Sequence, residues 1–147
     1  MVEVKITKLN EKAITPTYGS ECAAGADLYA LTEEKEIAFL PNETKMVHTG
    51  ICAEIPEGYA GLIYARSGIA TKRGLAPANK VGVVDSDYRG EIMVSLHNHS
   101  SKTQVIANGE RIAQLVITPF LKVEFKETDS LSSTERGTGG FGSTGKK

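Results

Sequence analysis

Five stretches of this sequence carry residues that could do chemistry, and each sits oddly in its surroundings. The strongest runs Asn79-Lys-Val-Gly82-Val-Val-Asp85-Ser-Asp-Tyr88-Arg-Gly90-Glu-Ile-Met93. An apolar strand enters Asp85, turns through Ser86 and Asp87, and returns after Gly90 as Ile92 to Leu96. This reads as a hairpin with an acid and an aromatic ring at its tip. Such a hairpin can read a planar base, because a strand edge and a pyrimidine edge both alternate donors and acceptors. The same residues also suit an ordinary polar hairpin. In Ala24-Gly-Ala-Asp-Leu-Tyr-Ala30, Asp27 interrupts an apolar strand, and a buried carboxylate needs a hydrogen-bonding partner or a cation. Ala65-Arg66-Ser67-Gly68 falls where a strand gives way to a helix, so its backbone N–H groups favour an anion. It reads equally as a surface arginine beside a helix cap. In Gly109-Glu-Arg-Ile-Ala-Gln-Leu-Val116, Gln114 breaks an apolar run, and its amide could donate to a phosphate oxygen or pair with backbone.

The fifth stretch is the tail Arg136-Gly-Thr-Gly-Gly-Phe-Gly-Ser-Thr-Gly145, in which five of ten residues are glycine. It can build no core. It can offer backbone N–H groups and a cation to phosphate, and a ring to a base. Gly140 to Lys146 matches G-x-x-x-x-G-K, but a P-loop needs a Ser or Thr next, a strand before and a helix after. Lys147 follows instead, so a phosphate-covering arm remains and a P-loop does not.

The elements that must position these groups are almost all strands. Val2, Val4 and Ile6 alternate with polar neighbours, as do Ile51, Ala53 and Ile55; Ile92, Val94 and Leu96; and Leu121, Val123 and Phe125. Period-two alternation marks half-buried strands. Gly61 to Ala65 and Ile112 to Ile117 are apolar on both faces, as buried strands are. Turn signals fall at Pro41-Asn42, Pro56 to Gly58, Asn98 to Ser101 and Asn108-Gly109. The spacing predicts an all-β sandwich or barrel-like double sheet. Ser67 to Gly74 reads as the single short helix, with Ser67 near its N-terminus. One domain is expected over 1–126, followed by a polar, Gly-rich and mobile arm over 127–147.

A length of 147 residues suits one domain with a real core. Seventeen basic against eighteen acidic residues, net −1, leave no footprint for non-specific nucleic-acid or membrane binding. Cys22 and Cys52 lack metal spacing and read as reduced, packed thiols of an intracellular protein. The alternating N-terminus is no signal peptide, and no run approaches a membrane span. His48, His97 and His99 form no metal pattern and read as surface or capping residues.

Taken in order, A-G-A-D-L, A-R-S-G, G-V-V-D-S-D-Y-R-G, G-E-R-I-A-Q and R-G-T-G-G-F-G-S-T-G resemble the five motifs of the trimeric dUTP diphosphatase (dUTPase) family, and the resemblance spans nearly the whole chain. It implies a jelly-roll-like double-sheet β-barrel that hydrolyses dUTP to dUMP and diphosphate, with Mg²⁺ on the triphosphate. It implies that Asp85 orients and deprotonates the attacking water, which a carboxylate can do at neutral pH without unusual tuning. Tyr88 would stack on the deoxyribose and exclude a 2′-hydroxyl. Asn79, with backbone groups of Val83, Val84 and Met93, would read uracil. Arg66, Ser67, Gly68 and Gln114 would hold the phosphates. Asp27 would act through a metal-bound water and not as a direct ligand. Arg136 would meet the γ-phosphate, Phe141 would stack over the base, and Gly142, Ser143 and Thr144 would close on the phosphates. The resemblance further implies a cytoplasmic homotrimer with sites shared between chains. Two departures are small: Glu110 stands where Asp also occurs, and Ala26 where an aromatic is frequent. Rival readings are a dCTP deaminase relative and a nucleotide-binding module without turnover.

Overall fold

Alternation becomes strand wherever a partner lies within reach. The computed structural model describes residues 2–140. In chain order its elements are β1 (Lys5–Lys8), β2 (Thr17–Tyr18), β3 (Ala26–Tyr29), β4 (Glu36–Phe39), β5 (Thr44–Val47), β6 (Ile51–Glu54), β7 (Tyr59–Ala65), α1 (Ser67–Arg73), β8 (Leu75–Pro77), β9 (Gly82–Val84), β10 (Val94–Asn98), β11 (Gln104–Ala107) and β12 (Arg111–Pro119). The architecture is all-β with one helix among the described residues. Two larger sheets, β2-β3-β12-β7-β9 and β5-β10-β8, join the pairs β1-β6 and β11-β4 around one core. β12 pairs β3 on one edge and β7 on the other, which explains its apolar run: both neighbours are strands.

The core is the inward half of each alternation. Leu28, Phe39, Val47, Leu75, Leu96, Ile106 and Ile112 are fully buried and form one cluster. A buried amide staples the loops at one end. Asn98 donates to the carbonyls of Phe39 (3.0 Å) and Lys102 (2.8 Å), and its Oδ1 accepts from the Ser100 amide at 2.9 Å. Every polar atom of that side chain is thereby satisfied in an apolar setting.

The helix begins at Ser67, as expected, but the capping position is Arg66, with extended backbone and no side-chain cap bond. Gly74 closes it in the left-handed conformation (φ 70°), which glycine adopts without a Cβ penalty. The side chain of Arg73 ties the helix end to Glu110 and to the carbonyl of Val105, fixing α1 against the β11–β12 turn.

Three expectations change. β9 and β10 do not form a hairpin: β9 pairs only with β7, and β10 lies in the other sheet between β5 and β8. The Asp85 turn therefore crosses between sheets. Leu121, Val123 and Phe125 form no strand and are 89%, 60% and 94% exposed, because no strand among the described residues lies alongside them to complete a ladder. The last strand ends at Pro119, and the Phe120 amide still bonds to Gly58 at 3.0 Å. Cys52 is half-buried, but Cys22 lies exposed and packs against nothing that would bury it. No helix among the described residues is long and apolar enough to cross a membrane.

Candidate functional site

The crossing between sheets opens a cavity of about 250 Å³. One wall is β9, an edge strand whose outer backbone groups have no neighbouring strand among the described residues. The other wall is the start of β10. Asn79, Val83, Val84, Asp85, Tyr88 and Met93 all line this cavity, joined by Met46, Pro77, Glu91 and Ser95. Six of the residues singled out in the sequence thus share one hollow.

Local geometry explains how. The β8–β9 connection is a tight turn in which Lys80 takes a left-handed conformation (φ 68°) and its amide bonds back to Pro77 at 3.0 Å. The turn lays the Asn79 amide over Gly82, where a Cβ would lie 3.4 Å from Nδ2. At the sheet crossing, the Tyr88 amide bonds to the Asp85 carbonyl (3.2 Å). Arg89, itself exposed, folds back over the turn, its Nη1 donating to the carbonyls of Ser86 (2.6 Å) and Tyr88 (3.0 Å). Asp85 is left exposed at the rim. The Tyr88 hydroxyl donates to the Glu91 carbonyl at 2.9 Å.

Glu91 is the polar hub behind this turn. Its side chain is only 15% exposed. One carboxylate oxygen accepts the amides of Thr49 (3.1 Å) and Gly50 (2.7 Å), and the other meets His48 Nδ1 at 2.8 Å. Burial works to raise its pKa. The bonds from His48, Gly50 and Thr49 together outweigh burial and hold it below the usual glutamate value.

A second cluster forms elsewhere. Asp27 on β3 is 3% exposed; its Oδ1 accepts Arg66 Nε at 2.6 Å and its Oδ2 accepts Arg111 Nη1 at 3.2 Å. Two guanidiniums on one carboxylate leave a net positive charge. Arg66 meets Asp27 through its Nε. Gln114 lies opposite Asp27 in the β12–β3 register and, in the β12–β7 register, opposite Tyr64, two residues before Arg66 in the chain. The cavity and this cluster are apart. Ile63 of β7 lines the cavity, and Arg66 follows three residues on, about 10 Å along an extended chain. Arg136 is exposed, with its Nε bonded to the Gly139 carbonyl at 2.8 Å. Phe141, Gly142, Ser143 and Thr144 lie outside the described residues.

Reasoning from the sequence missed Arg89, Gly90, Glu91 and Arg111. Arg111 had one signal: a buried Asp27 calls for a cation, but strand register, not spacing, chooses which one. The other three lie inside the strongest motif, where nothing in the letters separates a hub from a passenger.

A mostly antiparallel barrel with a base-sized cavity at an edge strand, and a basic cluster near a strand-to-helix junction, defines a nucleotide-handling protein. The family model described as dUTPase matches residues 11–145, and the chain belongs to that family, with its all-β, jelly-roll-like fold. The chain is 48% identical over 145 residues to the deoxyuridine 5′-triphosphate nucleotidohydrolase of Nautilia profundicola, covering 99% of this chain and 100% of that protein. It is 47% identical to the protein of the same name from Hydrogenobaculum sp., with 99% and 100% covered. Among solved structures, a variant of the Staphylococcus bacteriophage 80alpha dUTPase with dUpNHpp superposes with a TM-score of 0.87 at 27% identity, covering 97% of this chain and 98% of that one.

Proposed function

We propose that the protein hydrolyses dUTP to dUMP and diphosphate by attack of water on the α-phosphorus, limiting uracil entry into DNA and supplying dUMP. The observation that carries this reading is the convergence of Asn79, Val83, Val84, Asp85, Tyr88 and Met93 on one cavity. The names of the relatives point to the same nucleotide. In this reading the base lies against the free edge of β9, where backbone groups and the Asn79 amide pair with uracil. A thymine methyl would strike the close backbone, and cytosine would present a donor to a donor, leaving buried groups unpaired. Tyr88 covers the deoxyribose face and leaves no room for a 2′-hydroxyl. Asp85 holds and deprotonates the attacking water. General-base assistance of this kind contributes typically ~10²–10⁴-fold, and placement of the reactants supplies much of the rest.

Arg66, Ser67, Gly68 and Gln114 hold the phosphate chain in this reading, with Asp27 orienting Arg66. The arm from residue 127 onward, including Arg136, Phe141, Gly142, Ser143 and Thr144, closes over the nucleotide and excludes water. Among the described residues no three His, Cys, Asp or Glu side chains gather as a metal cage. Asp27 already accepts an arginine on each oxygen, so it suits only an outer role, across a water. Such a donor set fits an Mg²⁺ that arrives on the triphosphate and keeps most of its waters. Bound there, the ion would neutralise charge on the phosphate oxygens. The phage phi11 dUTPase, 25% identical with a TM-score of 0.79, has been described with a structural Mg(II) ion.

In this reading the protein is a homotrimer with shared sites. The Asp85 cavity and the Arg66 cluster of one chain sit at different points along β7, while Val83 and Met46 leave apolar surface beside the cavity at 64% and 53% exposure. A neighbouring copy would bring its Arg66 to this chain's Asp85. The cytoplasm is the location this reading assigns.

The test is diphosphate release with Mg²⁺ from dUTP, dCTP, UTP and dTTP in parallel. Turnover of dUTP alone is expected, and turnover of dCTP or of none would sink the assignment. Asp85→Asn should keep dUTP binding and lose at least ~10²-fold in kcat; an undiminished kcat would remove Asp85 from its role.

A further inference from the structure

We propose that Gly90 and Glu91 are specificity-positioning residues: together they set the angle of the Tyr88 ring, and through it the rejection of a 2′-hydroxyl. The inference rests on the reading of Tyr88 given above.

Gly90 does not take a left-handed backbone, so an alanine there meets no conformational strain. What it meets is the tyrosine. A Cβ on residue 90 would stand 2.5 Å from the Tyr88 hydroxyl oxygen and 2.6 and 3.0 Å from its nearest ring carbons, and these are its three nearest contacts. Real Cβ atoms do not approach other atoms so closely, so the ring occupies the space that the missing methyl vacates. The ring folds back over Gly90, and its hydroxyl donates to the Glu91 carbonyl at 2.9 Å. A tyrosine on a surface turn would otherwise sample several rotamers. Here one face of its freedom is closed by backbone and the far end is tethered.

The tether is useful only if residue 91 is itself held. It bridges Cys52 across the sheet gap, and its neighbour Ile92 bonds through N–H to Ile51 at 2.8 Å and accepts Thr49 Oγ1 at 2.5 Å. The Glu91 carboxylate clamps the Thr49 and Gly50 amides on the opposite side. Gly50 has φ 68°, and Leu31 and Ala13 leave no room for a Cβ there, so this turn is rigid. The chain of contacts runs from a packed turn, through Glu91, to the ring that faces the sugar.

The prediction concerns a ratio. For kcat/KM of dUTP over UTP, Gly90→Ala should lower the ratio by about tenfold or more, the scale at which a shape-selective pocket discriminates small groups. Tyr88→Ala should lower it as well, and adding Gly90→Ala to Tyr88→Ala should lower it no further, because the three closest contacts of the added methyl are all with that side chain. Glu91→Ala should lower the ratio, and Glu91→Gln, which keeps an acceptor for both amides, should restore it. If Tyr88→Ala leaves the ratio unchanged, the reading of Tyr88 itself fails. If Tyr88→Ala lowers the ratio but Gly90→Ala and Glu91→Ala do not, or raise only KM for dUTP, the positioning role is overturned. Should Gly90→Ala not fold, the Glu91 pair decides.

Discussion

Glu91 shows how one carboxylate can serve both stability and site geometry. Its pKa is held below the ordinary 4.5 by bonds from His48, Gly50 and Thr49, against the opposing pull of burial. A group whose folded pKa is depressed stabilises the fold fully above its unfolded value, and that contribution is lost as pH falls through the folded value. Wild-type stability should therefore fall more steeply than that of Glu91→Gln as pH drops from 6 towards 3. Urea midpoints for both proteins across that range would measure it; parallel curves would show that the carboxylate is not the linked group. The aspartate at 27 follows a different logic. The sequence reading left it between a hydrogen-bonded structural acid and a metal-facing one. It lies between Arg66 and Arg111 and accepts one guanidinium on each oxygen.

At the scale of elements, the decisive event is that β9 and β10 part company. Had they paired as the letters suggested, their edges would have satisfied each other and closed the gap. Because β9 stays with β7 and β10 with β5 and β8, the turn between them spans a gap, and the gap is the cavity. The segment after β12 is the converse case. Leu121, Val123 and Phe125 carry a strand's alternation without a strand's partner, and Leu131 beyond them is 91% exposed. None of these side chains adds to the core of its own chain. Truncation after Leu131 should leave the far-ultraviolet spectrum and unfolding midpoint of the protein close to wild type while removing most dUTP turnover. A truncated chain that unfolds would show that the arm is structural, and one that turns over normally would show that it is no lid.

For the whole molecule, the separation along β7 sets the question of how a complete site is built. If Asp85 of one copy works with Arg66 of another, Asp85→Asn and Arg66→Ala should each be nearly inactive alone. Co-expressed chains should then recover about a quarter of wild-type activity, the fraction of randomly assembled sites that draw an intact residue from each contributing copy. Co-expression no more active than the sum of the two variants would place the whole site within one chain. Sedimentation of the wild-type protein supplies the independent check, with three copies per particle expected.

The residue types and their order carried the chemistry: an acid and a ring near Gly90, an arginine at a helix start, an amide in an apolar strand, a glycine-rich tail. They carried the all-β class too, since period-two alternation and turn residues are local properties of the backbone. Helix α1, its glycine cap and most turns were legible for the same reason. Pairing was not. Which strand lies beside which, which arginine meets Asp27, and whether Tyr88 folds over Gly90 depend on contacts between distant segments. Only the closed barrel brings those segments together, by burying the inward half of every strand at once.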